Sequence, residues 1–386
     1  MRPKILIVGA GPVGLLLANL LADEGVETIV VEKRSEATGH SKAIGITPPS
    51  LEILARLELD QAFISGGVRI SRAVVHGKGS VVGDLSFASI PGPYPFILSF
   101  PQARTEELLR QRLEGLGSVE LLFSTELTGL VQTAEGVSAE LRRVEDGIER
   151  VENLQADYLC ACDGFRSTAR SLLNLPLRGR TAPETFLMAD FTDRSGLQNE
   201  AHLFFTADGS VESFPLPGGI RRWVVQTEEY LEQPPRGYLE ELVERRSGFS
   251  LLSDDKGWES PFRIHSRIMP SFVAGRVVFA GDAAHTIPPI GGQGMNTGLA
   301  DAERLAAMLI RGSDLRHYDS ARRRAAKAAA YRSMLSMRVG TVGGGVGSAL
   351  RNAAIRLALA TPLKRSLAAH YAMLSIPYRN LQASPL

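Results

Sequence analysis

Residues 5–8, Ile-Leu-Ile-Val, form a short, wholly apolar run after Lys4. Such a run predicts a central parallel strand covered on both faces. Gly9-Ala10-Gly11-Pro12-Val13-Gly14 follows at once, and Leu15, Leu16, Leu17, Leu20 and Leu21 then fit a buried helix. Residues 28–31 repeat the strand pattern and end on Glu32. A helix starting at Ser50, with Leu51, Ile53, Leu54 and Leu57 inward, comes next. From 66 to 95 the period shortens: strand-like runs at 73–75 and 80–82 are separated by glycines and closed by Pro91-Gly92-Pro93-Tyr94-Pro95. This predicts an excursion into an antiparallel sheet.

Residues 100–107 return to helix, with Leu108, Leu109 and Leu113 as the buried side. Strand patterns follow at 119–123, 128–133, 137–144 and 148–151, and a further strand delivers Asp163-Gly164 to a turn. Residues 181–269 are again β-patterned, with Gly and Pro turns and no glycine-rich loop. The stretch 275–312 then combines a strand (Val277, Val278, Phe279), a turn at Gly281-Asp282, a stiff Pro288-Pro289 corner and a glycine run. Gly291, Gly292 and Gly294 feed a helix carrying Leu299, Leu305, Met308 and Leu309. After Asp314 the pattern is helical, broken at 343–345 and at Thr361-Pro362; the glycine break has no strand before it and reads as a hinge.

At 386 residues, 44% hydrophobic and 22% charged, the chain exceeds one ordinary core and predicts two or three units. The expected fold is α/β: a Rossmann-like cofactor-binding domain (1–70, 98–175 and 270–312) with an inserted, mostly antiparallel β-sheet substrate domain (71–97 and 176–269). A C-terminal helical region (313–386) completes it. The net charge of +1 favours no nucleic-acid partner, but it is unevenly spread. From Arg316 on, twelve Lys and Arg face one acid, Asp319, leaving 31 of the 43 basic and 41 of the 42 acidic residues in the body. The basic tail is expected to pack on the acidic body or a second subunit. Its spacing of Leu350, Ala354 and Leu357 among Arg351 and Arg356 is also consistent with contact at a membrane surface. Monomer and homodimer both stay open.

The two cysteines, Cys160 and Cys162, lie in an apolar run with no other ligand-type spacing, which predicts buried thiols and no metal site. A reducing, cytoplasmic location is the expectation. The charged and apolar start resembles a signal peptide only superficially, because its glycine spacing continues into a folding pattern. No run of about 20 apolar residues predicts a membrane span.

The first 32 residues carry the physical requirements of a dinucleotide site. Gly9, Gly11 and Gly14 permit a tight turn and close approach of backbone to a pyrophosphate, and the helix start, with Pro12, favours its charge. Glu32, with Lys33 and Arg34 beside it, stands where an acid accepts hydrogen bonds from a ribose. An acid there disfavours a 2′-phosphate. Lys42 reads equally as a phosphate contact or a solvated lysine. Arg166 and Arg170 after the Asp163 turn suit an anionic ligand.

Gly9 to Gly14 with Glu32, the Asp163-Gly164 turn, and Gly281-Asp282 leading to Gly291-Gly292-Gln293-Gly294-Met295-Asn296 together resemble one family over residues 4–330. It is that of the single-component, class A FAD-dependent aromatic hydroxylases of the para-hydroxybenzoate hydroxylase type. The resemblance implies FAD as resident cofactor, NADPH or NADH as transient electron donor, and O2 as co-substrate. It implies hydroxylation of an aromatic or polycyclic small molecule through a flavin C4a-hydroperoxide. Glu32 would hold the adenosine ribose, Asp282 the ribityl chain, and the backbone of Gly294, Met295 and Asn296 the flavin edge. Asp163 would serve FAD and the pyridine nucleotide, Gln102 and Arg104 would add FAD contacts, and His285 would shape the flavin site. Where many relatives carry Arg, this chain has Lys42, a point charge in place of a bidentate fork.

No acid–base residue is identified by motif. His76, His202, His265 and Tyr94 are candidates for activating a phenol. Phe96, Phe204, Phe205 and Phe214 are candidate pocket walls, and Pro289 would line the route from flavin to substrate. Three alternatives stay open: a flavin halogenase, although Trp223 and Trp258 lack that family's W-x-W-x-I-P spacing; a reductase of a hydrophobic polyene; and a non-catalytic flavoprotein sequestering a hydrophobic compound.

Overall fold

The computed structural model describes residues 2–36, 43–77, 79–145 and 147–376. Lys42 lies outside them. The apolar run becomes the strand Ile5–Val8, fully covered, at the centre of a six-stranded sheet. In order, that sheet holds Val273–Ala274, Val277–Phe279, Tyr158–Ala161, Ile5–Val8, Thr28–Val31 and Val119–Leu122. All neighbours are parallel except the first pair. The helices Pro12–Asp23, Gln102–Leu113 and Gln293–Ile310 pack together beside it. Ligands of open parallel sheets bind beyond the carboxyl ends of the strands. Here those ends deliver Asp282, Asp163, Gly9 and Glu32 side by side.

The second large sheet has eight strands. Their order is His285–Thr286, Lys256–Ile268, Arg178–Thr192, Ile220–Thr227, Gly209–Leu216, Ala201–Thr206, Arg72–His76 and Val81–Ser86. Every pair is antiparallel except Ala201–Thr206 with Arg72–His76. The excursion near residue 75 and the later β-segment thus share one sheet. The strand His285–Thr286 joins this sheet directly to the Asp282 turn, with Arg267 opposite Thr286. A three-stranded sheet (Thr125–Gln132, Val137–Glu145, Ile148–Ala156) completes the strands at 119–156.

The helix expected from Ser50 begins earlier, at Pro48, behind Thr47. A proline in the first helical turn sacrifices no hydrogen bond, since that N–H has no intrahelical partner. The tail forms Arg316–Gly340, Gly345–Ala360 and Leu363–Tyr371. The first packs on Gln293–Ile310 and on Lys256–Ile268, and the second on Val81–Ser86. Among the described residues no helix is long and apolar enough to cross a membrane. Cys160 and Cys162 are free and buried, and burial pushes the Cys160 thiol up to about 12.

The closest backbone approach in the first motif is at Gly14. An added Cβ would stand 2.0 Å from the Gly9 carbonyl oxygen, so the first helix lies directly on the loop leaving the first strand. Gly14→Ala is therefore expected to lower stability by about 1–3 kcal/mol, as overpacking does. Denaturant unfolding of the purified protein measures it, and an unchanged midpoint would refute this close packing.

Candidate functional site

One cleft of about 1750 Å³ runs from the carboxyl edge of the parallel sheet to the eight-stranded sheet and the C-terminal helices. At one end Gly9, Gly11 and Pro12 form its wall. Gly9 has φ +102°, where only glycine is at ease, and a Cβ at Gly11 would meet nothing within 4 Å because it would project into the cleft. The Pro12–Asp23 helix has no side-chain cap, so its first N–H groups face this space. Glu32 is buried beside them. It accepts from Ala10 N–H at 2.9 Å and Arg34 N–H at 3.1 Å, and pairs with the Arg34 guanidinium at 2.8 Å. Burial opposes its ionisation, but the Arg34 bonds prevail and the carboxyl stays below its usual range. Lys33, Arg34 and Gln102 also line this end. Gln102 donates to Glu106, whose carboxyl is pushed up by burial.

Asp163 accepts from Thr168 N–H at 2.7 Å and Ala169 N–H at 3.2 Å through one oxygen. Its other oxygen is buried and has no hydrogen-bond partner among the described residues. Burial raises this carboxyl above its ordinary range. By surface area Asp282 counts as exposed, yet that surface belongs to the cleft and protein surrounds it. Burial raises its carboxyl too, with the His285 ring working in the opposite direction. Thr286 Oγ1, also on the cleft wall, is a second buried group without a partner.

Beyond Asp282 the lining turns to Pro289, Ile290, Gly291, Gly292, Gly294 and Met295. Gly292 precedes the 18-residue helix Gln293–Ile310 in a left-handed conformation (φ +65°), without a side-chain cap or an acid in the first turn. That helix start offers bare N–H groups and positive potential to the cleft. Asn296 is buried and acts from behind. Its amide donates to the carbonyls of Gly45 (2.8 Å) and Gly292 (2.7 Å) and accepts from Thr47 N–H (3.0 Å). Gly14 and Gly281 likewise do not line the cleft; each lets backbone pack closely, Gly281 against Val13.

Several expectations are corrected. Arg104 is exposed and pairs with Glu107 at 2.6 Å, two residues along the helix from Gln102 and on a different face. Arg170 is buried and donates to the carbonyls of Ala283 and Phe165, tying the Asp163 turn to the Asp282 turn and not facing a ligand. Tyr94 and Phe96 sit in the main core, with the Tyr94 hydroxyl donating to Asp60 at 2.8 Å. His76, His202 and Phe204 face away from the cleft. Successive strand residues alternate faces, so Ala201, Leu203 and Phe205 line the cleft while His202 and Phe204 point to the helix Tyr238–Ser247. His76 and His202 bond to each other at 2.9 Å. Phe205, Phe214, His265 and Pro289 do line the cleft.

His285 does not face the cleft. Its Nε2 meets Asp301 Oδ2 at 2.6 Å, and Asp301 also takes Gly281 N–H at 3.0 Å and Arg322 Nε at 2.5 Å. All three side chains are buried. Burial opposes the Asp301 charge, but Arg322 and His285 outweigh it and hold the carboxyl below its usual range. No motif marks Asp301 or Arg322; only their helical positions, 21 residues apart, bring them together.

An elongated cleft with two uncapped long-helix starts and unpaired Asp163 and Thr286 oxygens fits a dinucleotide-flavin. Residues 2–333 match the family described as FAD binding domain. The chain belongs to that family, the para-hydroxybenzoate hydroxylase-type flavoproteins. It is 37% identical over 326 residues to 6-methylpretetramide 4-monooxygenase of Streptomyces rimosus, covering 80% of this chain and 56% of that protein. Pentachlorophenol 4-monooxygenase of Sphingobium chlorophenolicum is 32% identical over 321 residues, 80% of this chain and 59% of its own. The chain thus spans somewhat more than half the length of these curated relatives. Among solved flavoproteins of this kind, p-nitrophenol 4-monooxygenase from Pseudomonas putida superimposes with a TM-score of 0.87 at 25% identity, over 97% of this chain and 98% of its own.

In this flavoprotein the Asp301 cluster should be costly to break. Arg322→Met leaves Asp301 short of its cation, and a loss of about 3–5 kcal/mol is expected from denaturant unfolding. Because the folded carboxyl ionises more readily than the unfolded one, the wild-type increment is full above the ordinary aspartate range. It fades as pH falls through the lower folded value. A variant as stable as wild type at neutral pH would show that the ion pair contributes nothing.

Proposed function

We propose that the chain is an FAD-dependent, NAD(P)H-consuming monooxygenase that hydroxylates an aromatic or polycyclic small molecule. One observation carries this reading: the cofactor cleft opens without a partition into an apolar chamber. Phe186, Met188, Leu203, Phe205, Phe214 and Val224 of the eight-stranded sheet form one wall of that chamber. Bound FAD would supply the redox chemistry, taking electrons from NAD(P)H and passing them to O2. Glu32 would orient the adenosine end, and Asp163 and Asp282 would hold the hydroxyl-rich middle. The Gln293–Ile310 helix start would favour negative charge on the ring. The apolar walls exclude water, which protects reactive oxygen species from wasteful collapse. Family membership supports FAD, and the names of the relatives support oxygen transfer to phenolic and polyketide-like rings.

Incubating the yellow protein with a panel of phenols, quinones and polyketides tests the reading. Substrate-stimulated NAD(P)H consumption with equimolar hydroxylated product by mass spectrometry is expected. Oxygen-independent turnover would favour a polyene reductase, and retained flavin with no ligand-accelerated reduction would favour a sequestering protein. Asp282→Ala is expected to purify largely colourless; a fully yellow variant contradicts its place beside the cofactor.

A second reading concerns the tail. Leu350 and Ala354 line the cleft, and Leu350 is exposed together with Val346, Leu357 and Leu363 on the helices that carry Arg356, Lys364 and Arg365. That rim supports contact with a membrane surface that delivers an apolar substrate. Cosedimentation with anionic vesicles at low salt is expected, and its absence there ends this reading.

A further inference from the structure

We propose that Glu212 is the proton acceptor that converts a bound phenol to its phenolate; the proposal rests on the hydroxylase reading above. Glu212 lies on the strand Gly209–Leu216, between Ser210 and Phe214 on the cleft-facing side. Directly opposite it are Leu203 on one neighbouring strand and Val224 on the other, both cleft residues. Its carboxyl is thus framed by apolar side chains, and among the described residues it has no hydrogen-bond or ion-pair partner. An unpaired carboxyl in such surroundings contributes nothing to folding. It is open to whatever occupies the chamber.

Two contacts place it near the reactive end of the cofactor site. Val224 and Phe214 belong to the cluster against which Ile290 packs, beside the glycine run. The Tyr371 ring lies against Gly291, where an added Cβ would come within 3.3 Å of it. The Glu212 charge helps raise that same tyrosine hydroxyl, after the larger effect of burial. Tyr371 and Glu212 therefore line the same cleft, with Tyr371 against the glycine turn. Burial pushes Glu212 itself up to about 7, close to the value that suits a general base at neutral pH.

The other ionisable groups lining the chamber are already engaged or lack suitable basicity. Arg222 is held by Asp190 at 2.7 and 2.8 Å, and Arg351 by the carbonyls of Gly340 and Val342. Arg263 stacks on Tyr230. His265 bonds Thr181 at 2.9 Å, and burial, then Arg267 and Arg263, lower its basicity. His370 is lowered by burial and by Arg332. In the proposed step the phenol O–H bond breaks, its proton forms an O–H bond with a Glu212 carboxylate oxygen, and the electron pair stays on the phenolate. No electrons change hands.

The test uses FAD-loaded wild type and Glu212→Gln, which has the same shape and no negative charge. For weakly acidic phenols, the wild-type kcat/KM is expected to rise with pH through about 7. E212Q is expected to lose that limb and fall about 10²–10⁴-fold. For nitrophenols already ionised, compared at about pH 6 where Glu212 is still largely neutral, the two proteins should differ by less than about tenfold. Binding supplies a readout independent of turnover, with 2,4-dinitrophenol, ionised throughout, followed by perturbation of flavin absorption. Between about pH 6 and about pH 9 its affinity should fall about tenfold or more in wild type, as Glu212 becomes an anion, and stay level in E212Q. Equal pH dependence of rate and binding in both proteins overturns the role of Glu212 while leaving the hydroxylase standing. Failure of wild type to hydroxylate any phenol overturns the hydroxylase reading, while the binding comparison still reports whether Glu212 titrates at the phenol site.

Discussion

The buried Asp301 carboxylate is the constraint on which the geometry of the cleft depends. It has no access to water, so its charge is tolerable only with donors directed at both of its oxygens. Gly281 N–H, the His285 ring and the Arg322 guanidinium supply those donors from three separate segments. Gly281 fixes the turn that presents Asp282, His285 begins the strand that joins the eight-stranded sheet, and Arg322 anchors the long C-terminal helix. One anion therefore sets the Asp282 turn, the eight-stranded sheet and the chamber's helical wall in a single arrangement. Arg170 adds a second tie, from the Asp163 turn to the Ala283 carbonyl, so adjacent strand ends move together.

That rigidity explains why so much of the cofactor wall is bare backbone. Long helices whose first N–H groups have no side-chain cap are stable only where something else meets those groups. Two such starts, after Gly11 and after Gly292, open on the same cleft. Asn296 holds the second start from behind by bonding Gly45, Gly292 and Thr47, leaving its outward face free for a ligand.

The glycine-lined end of the cleft was legible in the sequence because glycine spacing and a strand-end acid are local signals. Gly9, Gly11, Glu32, Asp163 and Asp282 fall within a few residues of the strands that deliver them. The apolar chamber was not. Along Ala201–Thr206 the alternation is visible, but each face carries a phenylalanine: Phe204 packs with Leu239, Leu242 and Val243, and Phe205 lines the chamber. Nothing in the sequence chooses between Phe204 and Phe205. Glu212 reads in sequence as an ordinary solvated strand residue, and Arg322 as one of a basic run; each has meaning only after long-range packing. The stripe of Leu350 and Ala354 was legible as an apolar face, but what it covers depends on a sheet more than a hundred residues earlier.

The chamber sets opposing demands. The proposed oxygen transfer would need water excluded, whereas activating a phenol would need a charged proton acceptor, and an ordinary carboxylate in dry surroundings is strongly disfavoured. Burial settles the conflict for Glu212 by making the anion less stable until a proton is offered to it. A carboxylate fully solvated or bonded to Arg222 would ionise more easily and accept a phenol's proton less readily. Pairing Arg222 with Asp190 instead leaves Glu212 unneutralised beside the Leu203, Val224 and Phe214 wall. The apolar packing that keeps water out is thus also the source of the basicity.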